Sequence, residues 1–352
     1  MSLSRSPSLN KVNNIIESSN INIKDGYLKK NYTINHFINS GAFGYVLSVS
    51  NIKTLFEKSA VKIIPFYIDK SNPERILSVR ISKKLKEVRL LSKFNHPNII
   101  EYKNSWIELG NITKDILISN LGDIQSLSYY NSFRSISNDI LESSMVNRQL
   151  ININIEMELM DFSLRKLIIN NNNNSLLNIS IIINGIISGL KYLHNKNIIH
   201  GDLKPENILI NINNKIEIVN VKIADFGLVI QKNSIHNTSK IGTPIYSPPE
   251  FIYGIITDKY DIYSLGIILY EMLSFFKTNM ERVISIHNFL KKTIMKTQIK
   301  KKKKNIKYLD FFYNYHLKYN KMELNLFFFL KSIINNDPYL RPTLNDINDF
   351  FN

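Results

Sequence analysis

The feature that most constrains the fold is a change of hydrophobic periodicity near residue 160. Before it, short β-type runs surround a glycine-containing turn between Tyr32 and Ile64, and INIEMELM (153–160) alternates as a strand does. After it, apolar residues recur at helical spacing in three segments, 180–195, 258–274 and 324–335. This order predicts an α+β fold with a small β-rich N-terminal lobe and a larger helical C-terminal lobe.

The remaining segments are predicted to connect these elements. Residues 76–94 have helical spacing and end near NHPN, where proline stops a helix. Residues 1–24 are rich in serine and asparagine, which predicts a mobile tail. A polar stretch at about 110–149 interrupts the strands and is predicted to be an inserted loop.

Composition excludes some classes of site. The 352 residues contain no cysteine, so disulfides, cysteine-ligated zinc and thiolate-ligated haem are excluded. The formal charge of +16 is compatible with RNA or ribosome contact or with an acidic protein substrate. We favour a general coding bias as its cause, because lysine, asparagine and isoleucine are abundant throughout the chain rather than clustered in one site. The lysine run at 300–304 is predicted to be a solvated loop, with RNA or acidic-surface binding as the alternative.

No segment reads as a membrane anchor. The start, MSLSRSPSLN, lacks the apolar core of a signal peptide. Residues 168–190 carry no charge but include seven asparagines, which would be costly in lipid. We therefore expect a loop followed by a buried helix there, and a cytoplasmic protein with no membrane partner.

Five short motifs occur in the order typical of one enzyme family. They are NSGAFGYV (39–46), AVKII with Lys62, LKEVRLL with Glu87, HGDLKPEN (200–207) and ADFG (224–227). Glycines let backbone amides approach phosphate oxygens, and carboxylate and amide oxygens suit magnesium. The set resembles the eukaryotic Ser/Thr protein kinases over about residues 30–352.

The resemblance implies a bilobal kinase domain at 25–352 that uses ATP and Mg²⁺. Its N-lobe would occupy about 25–157 and its C-lobe about 161–352. In this family Asp202 would accept the substrate proton, Lys204 would neutralise the transferring phosphoryl group, and Asn207 and Asp225 would hold the metal. The implied ATP-binding residues are Asn39 (in place of a glycine), Gly41, Gly44, Val46, Lys62, Glu87, Met157, Glu158 and Met160.

Four further residues fit positions that stabilise the helical lobe in this family. Glu250 is expected to pair with Arg341, and Asp261 and Gly266 fit the helix that supports the catalytic loop. We interpret them as structural rather than reactive.

Three other stretches resemble the kinases of translation initiation factor 2 alpha. They are HPNIIEYKNSWIE (96–108), IEMELMDFSLRKLI (155–168) and FFKTNMERV (275–283). The resemblance implies a serine of that factor as the substrate and lower general translation under stress. Thr278 and Glu281 would then help to dock the factor. The subfamily dimerises through an arginine–aspartate pair, where this chain has Tyr27 and Asn31, so dimerisation stays open.

The catalytic loop departs from the family pattern at Gly201, where arginine normally grips a phosphate on the activation loop. Thr238 is a possible phosphosite, and its phosphate would need another cation, such as Lys240 or Lys222. We expect an active kinase with relaxed dependence on loop phosphorylation. The alternatives are a Ser/Thr kinase with another substrate and a pseudokinase scaffold.

Overall fold

The structure is a computed structural model that describes residues 23–41, 44–54, 56–69, 74–109, 148–170, 176–232, 242–254, 256–297 and 324–351. The predictions for Thr238, Lys240, the lysine run at 300–304 and most of 110–149 therefore lie outside the described residues. The chain divides into two compact units. The first is Met1–Phe94 with Glu101–Leu159, and the second is Asn95–Ile100 with Met160–Asn352.

The first unit is built on a five-stranded antiparallel sheet. Its order is β1-β2-β3-β5-β4, with strands at Tyr32–Gly41 (β1), Gly44–Asn51 (β2), Lys58–Asp69 (β3), Tyr102–Leu109 (β4) and Arg148–Glu158 (β5). The predicted strand at 153–160 is confirmed, but it begins earlier and ends at Glu158. The core on this sheet is apolar and aromatic, and includes Leu47, Val61, Ile63 and Trp106.

Among its described residues this unit has three helices: α1 (Tyr27–Asn31), α2 (Glu74–Lys84) and α3 (Lys86–Leu91). The single helix predicted at 76–94 is therefore two, which meet at Leu85. The short α3 carries its buried residues, among them Glu87 and Leu91, on one side.

The mobile tail was predicted to extend to residue 24, but Ile23 and Lys24 are already part of the folded unit. Ile23 forms a parallel bridge to Ile107, and the amide of Lys24 donates to the Ile107 carbonyl at 2.9 Å. Ile107 lies on β4, the edge strand of the sheet. The covered edge shows that the folded part of the unit begins before residue 25.

The second unit is mainly helical. Its helices are α4 (Leu164–Asn170), α5 (Leu176–Asn195), α6 (Lys259–Leu273), α7 (Asn279–Thr297), α8 (Leu324–Ile333) and α9 (Leu344–Phe351). Short strands form two small sheets: β6 (Phe162–Ser163), β8 (Ile208–Ile212) and β9 (Ile218–Ile223) in one, and β7 (Ile198–Ile199) and β10 (Ile230–Gln231) in the other. The three predicted helices are confirmed with shifted ends.

Helix α6 forms the centre of this unit, because every residue from Tyr260 to Leu273 is buried. At Gly266 a Cβ atom would lie 2.6 Å from Ile334 and 2.7 Å from Ile333, so only glycine lets α8 approach this closely. In the part of the chain that the structure describes, no helix combines the length and the apolar character needed to cross a membrane.

Candidate active site

The catalytic loop follows β7 and is anchored by one buried carboxylate. Asp261 of α6 accepts hydrogen bonds from the amides of His200 (2.9 Å) and Gly201 (3.1 Å), and contacts Nε2 of His194 at 2.8 Å. Burial alone would raise the pKa of Asp261, but the hydrogen bond and charge of His194 and the interactions with His200 hold it below its ordinary value. The supporting role predicted for Asp261 is thus visible in its contacts.

Asp202 and Lys204 of this loop form one contact group with Thr243, which precedes the turn at Pro244–Tyr246. The Asp202 carboxylate accepts from Thr243 Oγ1 at 2.7 Å and from Lys204 Nζ at 2.6 Å. The same Nζ lies 3.0 Å from Thr243 Oγ1. A carboxylate base, an ammonium group and a hydroxyl therefore share one site, which is a suitable arrangement for a proton acceptor beside a migrating negative charge.

Asn207 and Asp225 are brought to this group by the backbone. The Asn207 side-chain amide donates to the Asp202 carbonyl at 2.8 Å, and the Ala224 amide donates to the Asn207 carbonyl at 2.9 Å. Because its NH₂ group is committed, Asn207 has its amide oxygen left as a ligand atom. Amide and carboxylate oxygens are the hard donors that magnesium prefers.

Asp225 has a backbone conformation that is unusual for a residue with a side chain. Its φ is 66°, in the left-handed region, which costs on the order of 1–3 kcal/mol for a non-glycine residue. Next to it, Phe226 is buried and lies edge-on to the His200 ring at 5.3 Å, while His200 Nε2 contacts the Ala224 carbonyl at 3.0 Å. The surrounding contacts thus hold Asp225 in a strained position.

No cluster of three or more His, Cys, Asp or Glu residues able to hold a metal exists among the described residues. A pair such as Asn207 and Asp225 nevertheless fits magnesium, which keeps several waters and takes further oxygens from phosphate.

Gly201 occupies a position that disfavours any side chain. Its φ is 77°, and a Cβ atom would lie 3.0 Å from both Ile230 Cδ1 and the Leu228 carbonyl oxygen. Lys222, one of the two cations suggested as a substitute for the missing arginine, is only 7% exposed within β9. That burial argues against Lys222 as the partner of a phosphate on a loop.

In the first unit, Lys62 and Glu87 form a buried ion pair. Lys62 lies on β3 opposite Val46 and Ile155, and its Nζ is 2.7 Å from Glu87 Oε1. Their side chains are 8% and 5% exposed. The structure thus brings together two residues that are 25 positions apart in the sequence.

The glycine-containing turn joins β1 to β2. Gly41 pairs with Gly44 and Asn39 pairs with Val46 across the hairpin. Gly44 has a φ of 126°, and a Cβ atom there would lie 2.0 Å from the Ile63 carbonyl oxygen, so a side chain cannot be accommodated. Asn39, which stands in place of a glycine, accepts a hydrogen bond from the Ser40 amide at 2.8 Å.

The segment predicted to contact adenine lies at the end of β5. Met157 is buried between Ala60 of β3 and Tyr102 of β4. The amide of Glu158 donates to the Glu101 carbonyl at 3.1 Å, and its carboxylate accepts from the Glu101 amide at 2.7 Å. Met160 follows the strand and is buried in the second unit.

A buried network of charges in the second unit was not predicted from the sequence. Arg165 donates to Glu206 (2.8 Å), to Tyr246 (2.5 Å) and to Glu271, and Arg282 lies 3.2 Å from both Tyr246 and Glu271. Burial would lower the pKa of Arg165, but the hydrogen bond and charge of Glu271 raise it. Burial and Glu271 also raise the pKa of Tyr246. Arg282 belongs to the Met-Glu-Arg motif, which was the one available signal.

The two predicted docking residues form the start of α7. The amide of Glu281 donates to Thr278 Oγ1 at 3.1 Å, and the Glu281 carboxylate accepts from the Lys277 amide at 2.8 Å. The Arg282 amide donates to the Thr278 carbonyl at 3.1 Å. These contacts cap the N-terminus of α7. Both side chains therefore have a structural role in addition to the predicted role in docking.

Tyr27 and Asn31, at the position of the subfamily's dimerisation pair, make contacts within the chain. The Tyr27 ring lies edge-on to Trp106 at 5.0 Å, and the Asn31 side chain donates to the Tyr27 carbonyl at 2.8 Å.

The predicted pair of Glu250 and Arg341 is confirmed as a bidentate contact, with distances of 2.5 and 2.6 Å.

This loop, the ion pair and the order of elements define the class of protein. The chain belongs to the protein kinase family, because the family model for the protein kinase domain matches residues 32–350.

Three relatives illustrate the range of similarity. "Eukaryotic translation initiation factor 2-alpha kinase 1" of Plasmodium falciparum is 39% identical over 112 residues, which are 31% of this chain and 7% of that protein. "eIF-2-alpha kinase GCN2" of Arabidopsis thaliana is 28% identical over 271 residues, 71% of this chain and 21% of that protein. "Calcium-dependent protein kinase 4" of Plasmodium falciparum is 46% identical over 94 residues, 26% of this chain and 18% of that protein. The chain thus spans about a fifth or less of the length of these relatives.

Proposed function

We propose that the protein is a Ser/Thr kinase that transfers the γ-phosphate of ATP to a serine of translation initiation factor 2 alpha. The observation that carries the catalytic part is the contact group of Asp202, Lys204 and Thr243, joined by Asn207. Membership of the protein kinase family supports ATP and a divalent metal as cofactors, and the oxygen donors favour Mg²⁺.

Each of four residues has a separate role in phosphoryl transfer in this proposal. Asp202 orients the substrate hydroxyl and accepts its proton, since its carboxylate already accepts a hydroxyl hydrogen bond from Thr243. Lys204 lies beside that carboxylate and offsets the negative charge of the transferring group. Asn207 and Asp225 would hold the metal, which neutralises phosphate charge when it is bound.

Most of the nucleotide-binding residues of this proposal lie in the first unit. Lys62, held in place by Glu87, would contact phosphate oxygens. Gly41, Gly44 and the backbone around Asn39 and Val46 would cover the phosphates. Met157, Glu158 and Met160 would line the adenine site.

The substrate assignment is supported by the two factor 2 alpha kinases among the relatives and by the exposed face of α7. Met280 is 74% exposed and Ile284, one turn further along, is 49% exposed. Thr278 and Glu281 cap the same helix. We therefore assign the contact with the factor to Met280 and Ile284, and the orientation of the helix to Thr278 and Glu281.

The catalytic proposal is tested with purified protein, Mg²⁺, labelled ATP and recombinant factor 2 alpha. Asp225→Ala and Asp202→Ala are each expected to lower the rate by about 10²–10⁴-fold, because each removes a metal ligand or a positioned base. Parental activity in both variants would overturn the assignment and favour the scaffold alternative.

The substrate proposal is tested by comparing factor 2 alpha with a generic basic protein. Met280→Ala with Ile284→Ala should weaken phosphorylation of the factor about tenfold or more while leaving the generic substrate within about twofold, since one or two buried apolar contacts are worth about 1–3 kcal/mol. Replacement of the exposed Ile252 by Ala is the matched control. Equal losses on both substrates would favour the other candidate, a Ser/Thr kinase with a different substrate, which the calcium-dependent relative supports.

Two further expectations belong to the proposal. The factor is a component of cytoplasmic translation, so the protein would act there. The missing arginine at Gly201 implies activity without loop phosphorylation. Thr238→Ala and the parent, compared both dephosphorylated and after autophosphorylation at saturating ATP, should therefore differ by less than tenfold in rate, about 1.4 kcal/mol in barrier height.

A further inference from the structure

A cavity beside α5 is not used by the proposed phosphoryl transfer. It has a volume of about 380 Å³ and lies wholly within the second unit. Small-molecule sites in proteins have volumes of about 300–1,000 Å³, so this cavity is at the lower end of that range. It therefore has room for a compact ligand.

The polar lining of the cavity comes from three segments. Four of its residues lie on one face of α5, at spacings of three and four: Asn184, Ser188, Lys191 and Asn195. The other two are His96, in the loop before β4, and Asn348 of α9. The apolar lining is limited to Ile187 and the ring of Tyr192, and none of the eight lining residues is a carboxylate.

His96 offers a hydrogen-bond donor to a ligand. Its Nδ1 accepts from the Asn98 amide at 3.1 Å, so the proton of the neutral ring is on Nε2. Burial and the positive charge of Lys222 lower the pKa of His96, which keeps the ring neutral at pH 7. Nε2 lies 3.5 Å from Ser188 Oγ, which is long for a hydrogen bond. A ligand oxygen at a shorter distance would therefore be a better acceptor.

The electrostatics of the cavity favour an anion. Lys191 places one positive charge in the lining, and the charge of Lys222 that disfavours protonation of His96 attracts a negative group. A phosphate monoester brings negative charge and three acceptor oxygens. These oxygens match the donors of the lining, which are an ammonium group, an imidazole N–H and side-chain amides.

The rest of the ligand is expected to carry hydroxyl groups. Each asparagine amide of the lining both donates and accepts, as a sugar hydroxyl does. A nucleobase is disfavoured because the Tyr192 ring already stacks on His96, with centroids 4.8 Å apart, and has Lys196 Nζ 5.1 Å above it. The Tyr192 hydroxyl also accepts from the Asn95 amide at 3.0 Å.

We propose that this cavity binds a small phosphorylated sugar or polyol. The phosphate group contacts Lys191 and Nε2 of His96, and the hydroxyl groups contact the asparagine amides of α5 and α9. A phosphoserine segment of a protein is the other candidate occupant, and the test below distinguishes it from a sugar phosphate.

Binding is tested by isothermal titration calorimetry with the full chain, without ATP or protein substrate, so the outcome does not depend on the proposed function. The probes are glucose 6-phosphate, ribose 5-phosphate and glycerol 3-phosphate. The comparison ligands are glucose, inorganic phosphate and a phosphoserine peptide. At least one probe should bind at least tenfold more tightly than every comparison ligand. A smaller ratio, or no binding of any probe, would overturn the proposal.

Matched variants locate the site. Asn348→Asp places a carboxylate in the lining with little change of size and should weaken binding of the tightest probe at least tenfold. Asn345→Asp, the same change at an exposed position of α9, should alter binding less than threefold. Lys191→Ala should weaken binding at least tenfold, whereas Lys215→Ala, at an exposed position of the same unit, should alter it less than threefold. A cavity variant that loses no more affinity than its control would overturn the assignment to this cavity.

The imidazole signal of His96 in nuclear magnetic resonance spectra provides an independent readout. The chain has seven histidines, and the His96→Gln variant assigns the signal. The tightest probe should shift this signal in the parent and in Asn345→Asp, and leave it unchanged in Asn348→Asp. A probe that binds the parent without shifting the His96 signal would place the ligand elsewhere and overturn the proposal. Thermal melts confirm that each variant is folded.

Discussion

The buried Lys62–Glu87 pair of the first unit and the Glu271 network of the second unit are built differently. In the first unit, Lys62 and Glu87 pair across 2.7 Å between a strand and a six-residue helix. In the second unit, Arg165, Arg282, Glu206, Glu271 and Tyr246 share a network in which Glu271 is fully buried and contacts three partners.

The difference separates two tasks. A network fixes several elements at once, because each charge is compensated by more than one partner. The network joins Arg165 of α4 and Tyr246 to Arg282 near the start of α7, through Glu271 of α6. A pair that involves a six-residue helix keeps its geometry only while that helix keeps its position, so it suits a residue whose placement is regulated.

The largest effect is expected from breaking the network. Glu271→Gln replaces the fully buried carboxylate between two partly buried arginines by a neutral amide, and should lower the free energy of unfolding by about 3–5 kcal/mol. Chemical denaturation measures this loss. The exposed Glu217→Gln is the control, with a change within about 0.5 kcal/mol. A loss below about 1 kcal/mol for Glu271→Gln would mean that the network contributes little to the fold.

Lys62→Met tests the other half of the comparison. Activity should fall at least about 100-fold because a phosphate-positioning charge is lost. The free energy of unfolding should fall by only about 1–2 kcal/mol, since α3 can shift and expose Glu87 to water. Lys58→Met, an exposed change on the same strand, should alter neither quantity appreciably. If Lys62→Met destabilised the protein as much as Glu271→Gln, the distinction between the two arrangements would be lost.

The position of Arg282, which connects the network to α7, depends on the N-terminal cap that Thr278 provides for this helix. Thr278→Ala should cost about 1 kcal/mol and increase hydrogen exchange of the amides at 279–282, because Thr278 Oγ1 no longer accepts from the Glu281 amide. Thr278→Ser keeps an acceptor oxygen and should behave like the parent. Identical behaviour of the serine and alanine variants would show that the cap is unimportant.

The smallest expected effect is the contribution of Asp261 to the pH dependence of stability. Its folded pKa is lower than its unfolded pKa, so its contribution is fully present above about pH 4 and is lost as pH falls through the folded pKa. Only the beginning of this loss is measurable before other carboxyl groups protonate. Denaturation midpoints between pH 5 and 3 should therefore fall more steeply for the parent than for Asp261→Asn. Parallel curves would exclude Asp261 as a source of the acid sensitivity.

Much of the fold and of the catalytic loop could be predicted because the signals are local. Asp202, Lys204 and Asn207 lie within six residues, and the alternation at 153–160 and the helical spacing at 180–195 lie within single elements. The pair of Lys62 and Glu87 followed from the order of the motifs. The sequence pattern was sufficient to predict a contact wherever residues close in space were also close in the sequence.

The network could not be found in this way. Arg165 and Glu271 are 106 positions apart, and no periodicity links them. The left-handed backbone at Asp225 and the cap formed by Thr278 also depend on three-dimensional placement. For Thr278 the sequence offered no means of choosing between a contact with substrate and a contact with its own helix.

The segment before β1 has a consequence for how the chain is made. The amide of Leu28 donates to Glu108 Oε1, a partner 80 positions further along the chain. Ribosomes add about 5–20 residues per second, so the segment waits about 4–16 s for its partner strand to be synthesised. During that interval Tyr27 and Leu28, which later pack in the core, are exposed on the nascent chain. Tyr27 and Leu28 therefore find their final place in this unit only after the strands as far as Glu108 have been synthesised.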